Sequence, residues 1–142
     1  MISLLEKSII IATKAHSGQF DKGGSPYILH PLRVMLSLDN DEDRIVGILH
    51  DVLEDTSITL QHLEDNGFLG ETKILEALDS ISRKSNESYE DFILRVKINP
   101  IALRVKLSDL KDNMNISRIN NPTEKDFARI EKYKKAYKLL TD

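Results

Sequence analysis

Cysteine is absent from the 142 residues, which excludes disulfides and thiolate metal sites and suits a reducing cytoplasm. Long apolar runs are absent too. Ile9-Ile10-Ile11-Ala12 lies between Lys7 and Lys14, too short for a secretory core and far short of a membrane span, and no targeting signal is visible. A positive excess is missing as well: the formal net charge is −3, which argues against a general nucleic-acid binder. No segment shows the two-residue alternation of a strand, and none repeats. What is left, 40% hydrophobic and 30% charged residues, is the composition of one globular, cytoplasmic domain over residues 1–142.

One further absence is local. The stretch Ile45-Val-Gly-Ile-Leu-His-Asp-Val-Leu-Glu-Asp55 reads as a helix with an apolar side and a polar stripe of Gly47, His50, Asp51, Glu54 and Asp55 that holds no Lys or Arg. Three carboxylates and one imidazole on a stripe repel one another unless a positive charge sits against them. A divalent metal ion is the economical candidate, because adjacent His and Asp supply one nitrogen and one oxygen ligand; two further ligands must come from elsewhere. Gly47 reads as leaving room above the carboxylates. A bare His-Asp pair is more often a solvated acidic face, and the Glu54-Asp55 that follows on the same stripe is what tips the reading toward a site.

The rest of the chain reads as helices. Ser3-Leu-Leu-Glu6 is a capping box that opens a first helix ending at His16. Gly18, Gly23 and Gly24 make His16 to Ser25 a loop longer than a connector needs. Pro31 fits the first turn of a second helix through Leu36, which fixes His30 at a helix start, and Asp41 reads as the cap of the central helix, which runs to Asp55-Thr56. Thr59 caps a short helix ending at Gly67, and Glu71 to Ile81 forms another. Beyond the polar loop Ser82 to Ser88, Ser88 with Asp91 opens a helix on Tyr89, Phe92, Ile93 and Val96, Pro100 opens one to about Met114, and Thr123 with Asp126 opens a C-terminal packing helix. The expectation is an all-α bundle of about seven or eight helices.

Two ligand candidates outside the central stretch follow from position. His30, before a proline, gains weight only because a metal at His50-Asp51 lacks partners, and Asp109, flanked by Leu107 and Leu110, reads as a partly buried carboxylate. An ion pair of Asp109 with Lys106 is as good a local reading as a metal contact. Arg83 and Lys84 are adjacent loop cations able to grip a phosphate. Residues 1–82 hold 6 Lys+Arg against 14 Asp+Glu (−8) and residues 83–142 hold 14 against 9 (+5), which could set an acidic metal-binding side against a basic phosphate-binding one.

The order His30, His50-Asp51, Asp109 resembles the H…HD…D signature of the HD phosphohydrolase superfamily. The segments Ala15-His-Ser-Gly-Gln19, Gly24-Ser-Pro-Tyr-Ile-Leu-His-Pro31, Leu49-His-Asp-Val-Leu-Glu-Asp-Thr56 and Val105-Lys-Leu-Ser-Asp-Leu-Lys-Asp-Asn-Met114 resemble the alarmone hydrolases among them: the hydrolase domain of the Rel/Spo enzymes and its small single-domain relatives. The resemblance covers residues from about 4 to 118. It implies a compact HD-domain bundle that binds manganese, or another divalent transition metal, through His30, His50, Asp51 and Asp109. It also implies water activation by Glu54 and Asp55 and nucleotide contact by Asn113, with Lys22, Tyr27, Arg83 and Lys84 as further substrate-binding candidates. The implied reaction releases pyrophosphate from the 3′ position of guanosine 3′,5′-bis(diphosphate), a small-molecule nucleotide substrate, without alarmone synthesis. The sequence leaves the oligomeric state unspecified.

Two positions depart from that pattern. Asp21 stands where many members carry a basic residue that stacks on guanine, and Leu110 stands where Arg or Lys is common. A carboxylate at position 21 is expected to repel phosphates and to offer no cation to a base. Two alternatives therefore accompany the first reading: an HD phosphohydrolase for another nucleotide or phosphoester, and a metal-bound regulatory module without catalysis.

Overall fold

A computed structural model describes all 142 residues, and the chain is all-α. Nine α-helices follow one another: α1 (Leu4–Ala15), α2 (Leu29–Leu36), α3 (Asp41–Leu49), α4 (Val52–Asp55), α5 (Leu60–Leu63), α6 (Thr72–Ile81), α7 (Tyr89–Ile98), α8 (Pro100–Asn113) and α9 (Glu124–Thr141). The only extended pairing is an isolated bridge between Phe20 and Pro26. No helix is long and apolar enough to cross a membrane.

The count exceeds the expected seven or eight because the central helix is broken. α3 ends at Leu49, the backbone turns through His50 and Asp51, where φ is −97° and ψ −4°, and a single turn, α4, resumes at Val52. The reading of one continuous helix over residues 45–55 is corrected on this point. Most starts fall where local chemistry puts them. Ser3 and Glu6 form their reciprocal box, Thr59 and Ser88 accept the N–H three residues on, and Pro100 is the first residue of α8 behind an Asn99 cap. The cap of α3 is Asn40 rather than Asp41, which stands one residue inside and still complements the helix N-terminus with its charge. A π-helical turn, Glu64–Phe68, and a 3₁₀ turn, Ile116–Arg118, were not evident in the sequence.

α3 is the central strut, packed against α1, α2, α6 and α8, while α9 closes the bundle over α7 and α8. Val46, Ile48, Leu49 and Val52 lie in one core of 23 apolar residues with Leu78, Ile93, Val105 and Leu110. The buried Asp43 on α3 accepts two hydrogen bonds from Arg104 on α8, at 2.6 and 3.0 Å, and ties the two helices together at the end away from α4. Gly47 is buried, and its role differs from the expected one. A Cβ there would lie 2.8 Å from Leu38 Cδ1 and 3.4 Å from Met35 Cα, so the missing side chain lets α2 approach α3 and leaves no room over the carboxylates.

Candidate metal centre

α2, the α3–α4 break and α8 each deliver part of one cluster. His30 comes from the first turn of α2, His50 and Asp51 from the break, and Asp109 from the third turn of α8; one ligand atom of each lies within 4.8 Å of all the others. His30, His50 and Asp109 are nearly excluded from solvent. Asp109 Oδ1 lies 2.9 Å from His30 Nε2 and 3.1 Å from His50 Nε2, and Asp51 Oδ2 lies 3.0 Å from His50 Nε2.

The far side of each imidazole fixes what the near side offers. His50 Nδ1 lies 2.6 Å from the Gly47 carbonyl and His30 Nδ1 2.6 Å from Asp112 Oδ2, and both oxygens can only accept, so both Nδ1 atoms carry the proton. Each Nε2 therefore faces the centre. Burial alone would lower both histidines, but the carboxylates outweigh it: Asp109 and Asp112 hold His30 above the ordinary range, and Asp51 and Asp109 hold His50 well above it. Burial alone would raise Asp51 and Asp109; His50 outweighs it at Asp51, and Lys106 with His50 does so at Asp109, so both stay below the usual carboxylate range. Such a cluster balances either with imidazolium protons or with one divalent ion. Two nitrogens and two hard oxygens at this spacing suit a first-row transition metal.

Asp112, one turn beyond Asp109 on α8, went unrecognised in the sequence. It backs His30 and is itself gripped by Arg33, at 2.8 and 3.0 Å, and by Arg118 at 3.3 Å. Lys106 is equally central, with its Nζ 2.8 Å from Asp109 Oδ2. The ion pair read as the alternative to metal ligation at Asp109 thus coexists with the cluster, one carboxylate oxygen facing each way.

A cavity of about 460 Å³ opens from Asp51 and Asp109 toward α7, α8 and α9. Of the substrate-binding candidates, Lys22, Tyr27, Arg83 and Asn113 line it, together with Glu54, the candidate for water activation. Tyr27 donates its hydroxyl proton to Asp51, and Asn113 Nδ2 donates to Asp109 Oδ1 at 3.0 Å. Glu54 accepts the Arg83 backbone N–H. Two expected residues lie elsewhere: Lys84 pairs with Asp79 at 2.6 Å, and Asp55 faces the same neighbouring cleft, which adjoins the cavity through Glu54 and Arg83. Leu110 is fully buried in the core.

α9 does more than pack, contrary to the sequence reading. Arg129, Lys132 and Tyr133, at i, i+3 and i+4, face into the cavity. Its lining cations are Lys22, Arg83, Lys106, Arg118, Arg129 and Lys132, and five of these six come from the basic part of the chain, whereas Asp51 and Glu54 come from the acidic part. The charge asymmetry thereby meets in one cavity, although Lys22 comes from the acidic part and Asp109 from the basic part. Lys132 lies 4.0 Å from the Tyr89 ring centroid, and burial together with Arg83 and Lys106 lowers its pKa.

Asp21 also lines the cavity, but its carboxylate is engaged. Oδ1 accepts the Ser25 N–H at 2.9 Å, and the Asp21 N–H reaches the Ser25 carbonyl at 2.8 Å, which staples the turn. Beside it, the Phe20 ring stands 67% exposed on the rim.

An all-α bundle here brings two histidines and two aspartates together beside a cation-lined cavity, a cluster that could hold a metal ion. No family model matches the chain. It is 32% identical over 119 residues to guanosine-3′,5′-bis(diphosphate) 3′-pyrophosphohydrolase of Aquifex aeolicus, an alignment spanning 78% of this chain and 17% of the relative. It is also 32% identical over 148 positions to GTP pyrophosphokinase of Myxococcus xanthus, spanning 91% of this chain and 19% of that protein. The chain thus spans less than a fifth of these relatives. A solved structure described as "A metazoan ortholog of SpoT hydrolyzes ppGpp and plays a role in starvation responses" superposes with a TM-score of 0.76 at 18% identity, covering 99% of this chain and 86% of that one, and so shares its fold. Over the aligned residues the chain is thus similar to part of proteins named as an alarmone hydrolase and a GTP pyrophosphokinase, and it shares the fold of the solved SpoT ortholog.

Proposed function

We propose that this protein is a manganese-dependent hydrolase that removes pyrophosphate from the 3′ position of guanosine 3′,5′-bis(diphosphate). The observation that carries the reading is the cluster His30, His50, Asp51, Asp109 opening onto a cation-lined cavity. The name of the Aquifex relative supplies the substrate. These four residues would hold the ion, which would supply Lewis-acid charge and lower the pKa of water near it.

The surrounding side chains divide the rest of the work. Glu54 takes a proton from the attacking water with the carboxylate oxygen that Arg83 leaves free. Asp55, raised first by burial and then by Asp51 and Glu54, is a stronger proton acceptor than an ordinary aspartate and shares that task. Arg83, Lys106, Arg129 and Lys132 neutralise phosphate oxygens as charge builds on them, and Lys22 and Asn113 hold the remainder of the nucleotide. The absence of cysteine and of a membrane-spanning helix fits a cytoplasmic enzyme with a free nucleotide as substrate.

A second reading, hydrolysis of a different nucleotide, is favoured by Leu110, which is buried where relatives commonly place a cation, and by the turn-bound Asp21. One experiment separates the two. Purified protein with added manganese is presented with guanosine 3′,5′-bis(diphosphate) and a panel of other nucleotides, and released pyrophosphate and phosphate are measured. Faster turnover of a different nucleotide moves the second reading ahead.

A further inference from the structure

The two carboxylates assigned to water stand on α4, a helix of one turn. A single turn fixes several dihedrals for about one hydrogen bond, so it does not hold its own shape and must be held from outside. Three contacts do this. Tyr27 donates to Asp51 at the start of the turn, the Arg83 N–H donates to Glu54, and Gln19 Nε2 donates to the Asp55 carbonyl at 3.2 Å.

The third contact has a backing of its own. Gln19 Oε1 lies 2.9 Å from His16 Nδ1. The Asp55 carbonyl can only accept, so the Gln19 amide must turn its NH₂ toward it. Oε1 then faces His16, and Nδ1 is the protonated nitrogen that donates. Gln19 cannot drift, because its N–H reaches the His16 carbonyl at 3.1 Å and its carbonyl accepts the Tyr27 N–H at 2.9 Å.

His16 is 2% exposed and packs on the Tyr27 ring at a centroid distance of 5.0 Å, yet its Nε2 is buried and makes no hydrogen bond. Burying a polar nitrogen without a partner is unfavourable, and an apolar ring would fill the same space without that penalty. What the imidazole adds is the Nδ1–H donated to Gln19.

We propose that His16 and Gln19 are positioning residues, a relay from His16 through Gln19 to the Asp55 carbonyl that sets the end of α4 and thereby the placement of Glu54 and Asp55, the two carboxylates this turn carries. The relay rests on the reading of Glu54 and Asp55 as the water-activating pair. Neither His16 nor Gln19 belongs to the metal cluster or to the cavity lining, so the relay acts on turnover and leaves binding alone.

The test uses the manganese-loaded chain with guanosine 3′,5′-bis(diphosphate), three single variants and the double variant His16→Phe with Gln19→Leu. His16→Phe keeps the ring and drops the donor, His16→Asn places an amide N–H close to where Nδ1 was, and Gln19→Leu removes the link. His16→Phe and Gln19→Leu should each lower kcat about 10-fold or more, because misplacement by about 1 Å can cost on the order of 10²-fold. KM and manganese affinity should stay within about twofold, His16→Asn should recover most of the rate, and the double variant should be no worse than the poorer single.

A His16→Phe kcat close to that of the wild type, additive losses in the double variant, or a His16→Asn as impaired as His16→Phe overturns the relay. Should His16→Phe not fold by circular dichroism, the half-buried Gln19 carries the same kcat-against-KM test. A wild type that releases no pyrophosphate from this nucleotide sinks the functional reading instead. The variants are then compared on manganese-dependent hydrolysis of bis(4-nitrophenyl) phosphate, and inactivity of the wild type there overturns the relay as well.

Discussion

Asp112 Oδ2 lies 2.6 Å from His30 Nδ1, so the residue one turn beyond the proposed ligand Asp109 holds the back of another proposed ligand on a different helix. α8 thus supplies both a carboxylate of the four-residue cluster and the acceptor that fixes an imidazole. Burial would raise Asp112, but its hydrogen bonds from His30 and Arg33 keep it well below the usual carboxylate range, and it remains an acceptor at any working pH. Asp112→Ala should therefore weaken manganese binding by about 10- to 100-fold, the usual effect of removing such a partner, while Asp112→Asn, which still accepts from Nδ1, should lose less. Calorimetric titration with manganese checks this, and equal affinity in wild type and Asp112→Ala would refute the orienting role.

The cluster itself predicts metal-dependent stability. An ion that binds only the folded chain should raise its stability by about 2.7 kcal/mol at a concentration of 100 times Kd. Asp51→Asn should abolish the gain, because it removes a charged ligand from the break between α3 and α4. Thermal melts with manganese and with chelator make the comparison, and a melting temperature indifferent to both would rule out the site.

Binding and chemistry separate at Glu54. Glu54→Gln can still accept the Arg83 N–H but cannot take a proton from water, so kcat should fall by about 100-fold or more with manganese affinity nearly unchanged. Parallel loss of metal would make Glu54 a ligand.

Local chemistry was legible in the sequence and tertiary chemistry was not. Caps such as Ser3, Thr59 and Ser88 hydrogen-bond within three residues, so their signature is contiguous. The break at His50-Asp51 leaves no such trace, because the 3.6-residue periodicity runs on through it; the backbone turns where Asp51 is held by Tyr27, 24 residues away. From local pattern alone His30 drew notice only because the His50-Asp51 pair lacked partners, and Asp109 only through its apolar flanks; it was the resemblance that joined them into one set. Asp112 was hidden because i+3 spacing names a shared face without saying what that face meets. The cations of α9 failed for a related reason: Arg129 and Lys132 have the same pattern whether they meet solvent or a cavity wall.

The raised histidines give the site a pH dependence of definite sign. His30 and His50 are held above the ordinary value of about 6.5, so the metal-free cluster keeps imidazolium protons to higher pH than free histidines would, and an incoming ion must displace them. Manganese affinity should rise with pH until the raised values are passed, with proton release on binding, measurable by calorimetry in buffers of different ionisation enthalpy. The metal-free fold behaves oppositely. Its histidine contribution is complete below about 6.5 and fades as pH climbs through the raised values, while the contribution of the lowered Asp51 and Asp109 is complete above about 4 and fades as pH falls. Metal-free stability should peak in between, and a peak well above neutral would contradict the assignment.

On the proposed nucleotide substrate, the rim loop is where a base would be met, and there the structure gives Asp21 a different part from the one its charge suggests. The sequence alone leads one to expect a carboxylate at Asp21 that repels phosphates and offers no cation to a base. Yet Asp21 Oδ1 accepts the Ser25 N–H and staples a turn in which Gly23 lies so close to Arg118 that a Cβ would stand 2.3 Å from its carbonyl oxygen. Asp21→Arg would release that staple, so it should raise KM, whereas Asp21→Asn, which keeps an acceptor, should leave KM within about twofold. The surface offered to a base is instead Phe20, a ring 67% exposed on the cavity rim whose backbone is bridged to Pro26. Stacking on an aromatic ring contributes about 1–3 kcal/mol per base, so Phe20→Ala should raise KM for guanosine 3′,5′-bis(diphosphate) several-fold or more with kcat little changed. The uridine analogue, with a smaller face to stack, should lose less. If Phe20→Ala leaves KM for the guanosine substrate where it was, the base does not reach the rim, and selectivity must be sought deeper, among Asn113, Tyr133 and the α9 cations.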